Sequence, residues 1–288
     1  MKIISTLLIA ISMFTACQGT HGSPNHHSSV NKSLPAQKFL NVSYGKDSLQ
    51  RMDVYLPANR SVQTTKSIIL VHGGGWNGGS KESFTSYVDS FKKRLPDYAF
   101  FNLNYRLVNG GNLFPTQEND IKQAVEFISS NTAEYGVNKE GFVLLGASAG
   151  AHLALLQAYK YNTPKIQAVI DFFGPTDLLS MYTKPWHPLV TYALQMITGA
   201  TPQSNMGIYK ESSPLQYVSS SSAPTLIFHG ANDNVVDVSQ SELLANKLAN
   251  EGVKHQLVIL PREGHGWYGT ALTKSFDQIE LFLRSNVK

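Results

Sequence analysis

From residue 38 onward, short, continuously apolar runs alternate with segments of helical period. That alternation confines the chain to one α/β domain with a mostly parallel sheet. Ser67–Val71 and Tyr98–Tyr105 read as strands buried on both faces, and Phe142–Leu145, Ile166–Phe173, Thr225–His229 and Gln256–Leu260 as further strands. Phe39–Tyr44 and Gln50–Tyr55, joined by the turn signal Gly45-Lys46-Asp47, predict an opening hairpin. Phe84–Leu95 reads as helix, and Ile121, Ala124, Val125 and Ile128 share one helical face in a segment that Gly136 closes. Ser239 and Glu242 have capping-box spacing, with Leu243, Leu244 and Leu248 as the apolar face behind them. Phe276, Ile279 and Leu283 supply the face of a closing helix. Hydrophobic residues make up 42% of the 288 and charged residues only 15%, enough apolar surface for a large core and incompatible with a disordered chain. About residues 178–222 break the alternation and are too long for a connection, which predicts an insertion (a lid or cap) over one end of the sheet.

The first residues have a different character. Met1–Lys2 give a positive start, Ile3–Phe14 an apolar run, and Thr15–Ala16 small residues, so residues 1–16 read as a signal peptide. The run is too short to span a bilayer as a helix. Phe14-Thr15-Ala16-Cys17 resembles a bacterial lipoprotein lipobox. That resemblance implies lipidation of Cys17, the single cysteine, and an exported, membrane-anchored protein. Residues 17–37, rich in Gly, Ser, Asn, His and Pro, read as a flexible tether. His21, His26 and His27 lack a second cluster to complete a metal site. The net charge of +4 comes from scattered Lys and Arg, which excludes a nucleic-acid groove.

The chemistry concentrates in three glycine-bounded stretches. Gly146-Ala147-Ser148-Ala149-Gly150 lies between the strand Phe142–Leu145 and the apolar helix Ala151–Tyr161. It fits G-x-S-x-G in its strand–turn–helix setting, where a tight turn presents a nucleophilic serine above a helix N-terminus. His72-Gly73-Gly74-Gly75-Trp76 also follows a strand. Its unshielded backbone N–H groups suit a developing oxyanion, and it lacks the Lys-Ser/Thr of a phosphate loop. A serine needs a base held by an acid. Of nine histidines, His265 in Glu263-Gly264-His265-Gly266-Trp267 follows a strand near the C-terminus and reads as the base. Asp233 in His229-Gly230-Ala231-Asn232-Asp233 precedes it in the order Ser, Asp, His and reads as the acid, with Asp237 its nearest competitor. Asp171 and Asp177 read as loop-ordering residues, and His72, His152 and His229 as bracing or packing residues.

With those residues in place, the chain from about residue 38 to its end resembles an α/β-hydrolase of the bacterial esterase/lipase type. HGGGW, NYRL, GASAG, DFFGPTDL, HGAND and GHG occur in family order. The DPL-type acid motif of the hormone-sensitive-lipase branch is missing, so the pattern is closer to the feruloyl- and acetyl-xylan-esterase-like group. The resemblance implies a serine esterase acting on a small-molecule ester without metal or organic cofactor. It also implies an oxyanion hole from the N–H groups of Gly74, Gly75 and Ala149. Trp76 and Trp267 flank the catalytic stretches and are expected at the mouth of the cleft, with Tyr182 and Trp186 above it. Short-chain, aryl or sugar esters are the expected substrates. An amide or peptide hydrolase of the same fold, and an inactive binding module, are the competing functions.

Overall fold

The structure, a computed structural model, describes residues 34–288. The expected signal peptide, Cys17, and His21, His26 and His27 lie outside the described residues. The last residues of the expected tether are bonded to the domain. Leu34 accepts the Asn59 N–H at 2.8 Å, and the Arg60 guanidinium donates to the Pro35 carbonyl at 2.6 Å.

Eight strands form one sheet: β1 (Gln37–Ser43), β2 (Arg51–Leu56), β3 (Lys66–Val71), β4 (Tyr98–Leu103), β5 (Phe142–Ala147), β6 (Ile166–Phe172), β7 (Thr225–Gly230) and β8 (His255–Leu260). Their spatial order is β1-β2-β4-β3-β5-β6-β7-β8. The hairpin strand β2 runs antiparallel to β1 and β4, and all other pairs are parallel. This is the α/β-hydrolase sheet that the sequence implies. The helices are α1 (Thr85–Arg94), α2 (Thr116–Ser130), α3 (Thr132–Tyr135), α4 (Ala149–Leu156), α5 (Leu178–Thr183), α6 (Pro188–Thr198), α7 (Met206–Glu211), α8 (Ser239–Asn250) and α9 (Gly269–Asn286).

Alternation along the central strands sends their side chains to opposite layers. Ile69, Leu144 and Ile227 pack with Ile121 of α2, Leu153 of α4 and Leu244 of α8. Ile68, Val143 and Phe228 pack on the other face with Phe91 of α1 and Ile279 of α9. Burial on both faces is why these strands are apolar throughout. Because β3, β5, β6, β7 and β8 are parallel, the loops leaving them emerge on one edge, where open α/β sheets bind ligands.

Three local expectations are corrected. Gly136 closes α3 rather than the helix carrying Ile121, since α2 stops at Ser130 and Asn131 folds its side-chain amide back onto the Phe127 carbonyl. The capping box does not form. Ser239 is already helical, and its N–H is taken by the Asp237 carboxylate at 3.0 Å. Leu243 is 38% exposed, because the buried face of α8 runs through Ser241, Leu244, Ala245 and Leu248. The expected insertion consists of α5, α6 and α7 between β6 and β7.

Candidate active site

Ser148 sits at the turn between β5 and α4 with φ 54° and ψ −123°, a strained conformation for a residue with a side chain. Its N–H bonds the Phe172 carbonyl at 2.8 Å, which holds the turn against β6. A Cβ at Gly150 would collide with the carbonyls of Val71 and His72, so only glycine lets α4 start this close to β3. The turn lifts the Ser148 hydroxyl to 3.0 Å from His265 Nε2.

His265 is carried by the loop after β8. The Gly266 N–H bonds the Gly264 carbonyl across it at 2.9 Å, and the Phe173 ring packs 4.5 Å from the imidazole. His265 Nδ1 lies 2.7 Å from Asp233 Oδ2. A carboxylate only accepts, so Nδ1 carries the proton and Nε2 is free to take one from Ser148. Asp233 Oδ1 accepts the N–H groups of Val235 at 2.8 Å and Val236 at 3.0 Å. Burial works to raise the Asp233 carboxyl. The donors around it, led by His229 and then His265, outweigh that and hold it well below the usual carboxylate range. The loops after β7 and β8 are stitched together, Ala231 N–H to the Leu260 carbonyl and Asn232 N–H to Glu263, both at 2.9 Å. Asp237, the competitor, is occupied at the start of α8 and joins neither histidine.

The glycine loop after β3 flanks the serine. Gly73, Gly74 and Gly75 line a cavity of about 800 Å³ together with Ser148 and His265. The N–H groups of Gly74 and Gly75 have no hydrogen-bond partner among the described residues. Ala149 is the first residue of α4, where helix geometry leaves the N–H without a carbonyl. His72 braces the loop, its Nδ1 2.7 Å from the Gly73 carbonyl and its ring stacked on Tyr105.

Trp76 and Trp267 contribute to the cavity wall, yet they are only 6% and 3% exposed. Each indole N–H is bonded away from the cavity, Trp76 to His152 Nδ1 at 3.2 Å and Trp267 to Ser275 Oγ at 3.0 Å. They are packed walls rather than platforms at the mouth. Tyr182 and Trp186 are not among the cavity-lining residues; Met181, Val190, Ala193 and Leu194 supply the insertion's share. Phe84 and Tyr87 form part of the opposite wall, and no short-range signal marks either of them in the sequence. His152 likewise does more than pack. Its Nε2–H donates to the Ser212 carbonyl at 2.6 Å, so it ties the glycine loop and α4 to the insertion. Burial pushes its imidazole down to about 4, which keeps it neutral and able to accept from Trp76.

Asp171 is fully buried, with Oδ1 accepting the Gly174 N–H at 2.8 Å and Oδ2 unpartnered among the described residues. Burial pushes its carboxyl up to about 7. The folded protein therefore holds a proton that the unfolded chain has lost above about pH 4, and stability falls from there to about pH 7. Asp171→Asn removes this penalty. The melting-temperature gain of the variant over wild type is expected to widen between about pH 5 and pH 8. A gap that is constant or narrows over that range would contradict this account. Among the described residues no cluster of three or more His, Cys, Asp or Glu is placed to hold a metal ion.

Residues 52–248 match the BD-FAE family model. Esterase LipC of Mycobacterium tuberculosis is 25% identical over 239 residues, covering 78% of this chain and 59% of LipC. The chain spans about half the length of the mycobacterial relatives it matches. The thermophilic esterase Est2 of the Planctomycetes species Thermogutta terrifontis superposes with a TM-score of 0.70 at 25% identity, covering 86% of this chain and 91% of that one. A truncated carbohydrate esterase from gut microbiota superposes with a TM-score of 0.72 at 24% identity, covering 85% and 95%.

Proposed function

The chain belongs to the BD-FAE family, and from that premise we propose that it is a serine carboxylic-ester hydrolase working through Ser148, His265 and Asp233. The observation that carries this reading is the unbroken hydrogen-bond chain from Ser148 Oγ through His265 to the buried Asp233, opening on a cavity beside Gly74 and Gly75. Ser148 Oγ attacks the ester carbonyl carbon while its proton passes to His265 Nε2. The carbonyl oxygen takes up the negative charge, facing the N–H groups of Gly74, Gly75 and Ala149. Collapse breaks the bond to the alcohol, which leaves with the proton from Nε2. Water, deprotonated by the same nitrogen, then releases the acid from the acyl-enzyme. Asp233 orients the ring and stabilises the imidazolium.

Short-chain, aryl or sugar esters are the proposed substrates. Tyr87 and Phe173, backed by the packed Trp76 and Trp267, give the cavity an aromatic wall, while the insertion contributes three short helices instead of a long apolar lid. The test is kcat/KM across acetyl, butyryl, octanoyl, palmitoyl and feruloyl esters and matched anilides. A maximum at the short or aryl esters is expected. A maximum at palmitoyl overturns the substrate reading, and faster cleavage of the anilides overturns the ester reading.

Export and anchorage through a lipidated Cys17 are proposed on the N-terminal sequence alone. Wild-type protein should partition with membranes and Cys17→Ser should release it. Wild-type protein found wholly in the soluble fraction would remove the anchor.

A further inference from the structure

The hydrogen-bond chain contains one histidine that the mechanism above does not use. His229, near the end of β7, has a fully buried side chain, and its Nε2 lies 2.9 Å from the Val236 carbonyl and 3.3 Å from Asp233 Oδ2. Its Nδ1 lies 2.7 Å from Ser241 Oγ on α8. A carbonyl oxygen only accepts, so Nε2 carries the proton of the neutral ring, and Nδ1 accepts the Ser241 hydroxyl. The ring is thereby a donor of fixed tautomer, locked from behind by α8. Its N–H bonds the Val236 carbonyl, and the same nitrogen stands 3.3 Å from Oδ2, the oxygen that accepts from His265. Val236 in turn gives its own N–H to Asp233 Oδ1. His229 thus touches the acid directly and also holds the turn that grips the acid's other oxygen.

We propose that His229 is a positioning residue of the active site: its Nε2–H, fixed by the Val236 carbonyl and backed by Ser241, holds Asp233 Oδ2 toward His265. This rests on the triad reading above. The need for such a donor follows from burial. The Asp233 side chain is inaccessible, so no water is available to orient or stabilise its charge, and each lone pair must meet a protein donor. The other groups facing His229 do not replace it. Asp171 from β6 is an acid held partly protonated near neutral pH, and Phe173 presents only a ring. The sequence signal, in retrospect, is the histidine that opens His229-Gly230-Ala231-Asn232-Asp233, four residues before the acid and at the end of the strand that carries it.

The experiment compares three substitutions for hydrolysis of p-nitrophenyl acetate. His229→Gln can return an amide N–H near the Nε2 position, His229→Asn only near Nδ1, and His229→Phe neither. Because a donor to a buried charge is lost, kcat is expected to fall roughly ten- to hundred-fold in the Phe and Asn variants. KM should stay near wild type, because the contact serves the transition state rather than substrate binding. Glutamine should recover most of kcat. In an Asp233→Asn background, His229→Phe should bring no further loss. Equal kcat for the Gln and Asn variants, or a full additional loss in the Asp233→Asn background, overturns the proposal. If His229→Phe does not fold, the Gln–Asn pair decides the matter alone. Should Asp233→Asn itself leave kcat intact, the triad reading fails instead, and the two failures are told apart.

Discussion

Ser148→Ala is expected to lower kcat for p-nitrophenyl acetate by at least about three orders of magnitude, with His265→Ala close behind and the double variant no worse than either. The expectation rests on geometry in which neither residue has a substitute. Ser148 Oγ is 3.0 Å from His265 Nε2. The buried histidines are committed elsewhere: His72 to the Gly73 carbonyl, His152 to Ser212, and His229 to Val236. Removing either member disables the same proton transfer, so the losses overlap. Asp233→Asn should also be severe, because an amide nitrogen facing His265 would favour the wrong tautomer. Asp237→Asn should be mild, since that side chain serves only the start of α8. Kinetics on the four single variants and the double variant, with a fluorophosphonate label followed to Ser148, check the set. A wild-type protein that takes no label there, or an Asp237 more sensitive than Asp233, would sink the assignment.

The second large effect concerns backbone. Gly74 has φ +116°, outside what a side chain tolerates, and a Cβ there would strike the carbonyl of Gly78 across the loop. That obstacle is main chain and cannot rotate aside. Gly74→Ala therefore forces the loop to move, shifting the N–H groups of Gly74 and Gly75 away from where the oxyanion forms. Misplacing a donor of this kind costs on the order of 10²–10³ in kcat. Gly110→Ala, at a glycine with open space around it, is the matched control and should stay near wild type. A Gly74→Ala protein that melts normally and keeps its kcat would mean that these N–H groups play no part in the reaction.

The residues of the site differ in how legible they were. Ser148 could be read because its signal is contiguous: a strand, a tight turn and a helix within a few residues. His265 and Asp233 each follow a strand and stand in the order Ser, Asp, His, and the place of Asp237 at the approach to α8 separates it from Asp233. Trp76 shows the limit of such reading. Its place beside the glycine loop predicted proximity to the cleft, but its φ of 62° and its bond to His152 decide which way the indole points. Neither is encoded by neighbours in sequence. The capping box failed for a related reason, because Asp237, two residues earlier, reached the Ser239 N–H first.

By itself, then, the sequence determined the α/β class, the strands of the sheet, the insertion and the candidate nucleophile, base and acid. Those features follow from hydrophobic period and turn chemistry, which act over a few residues and survive in a one-dimensional reading. Only the tertiary structure decided the cavity walls from α1, α5 and α6, the tie from Trp76 through His152 to Ser212, and the bond from Ser241 that holds the His229 ring from α8. Each of these joins residues far apart in the chain whose side chains meet only when the strands pack, and burial then obliges every polar group among them to find a partner.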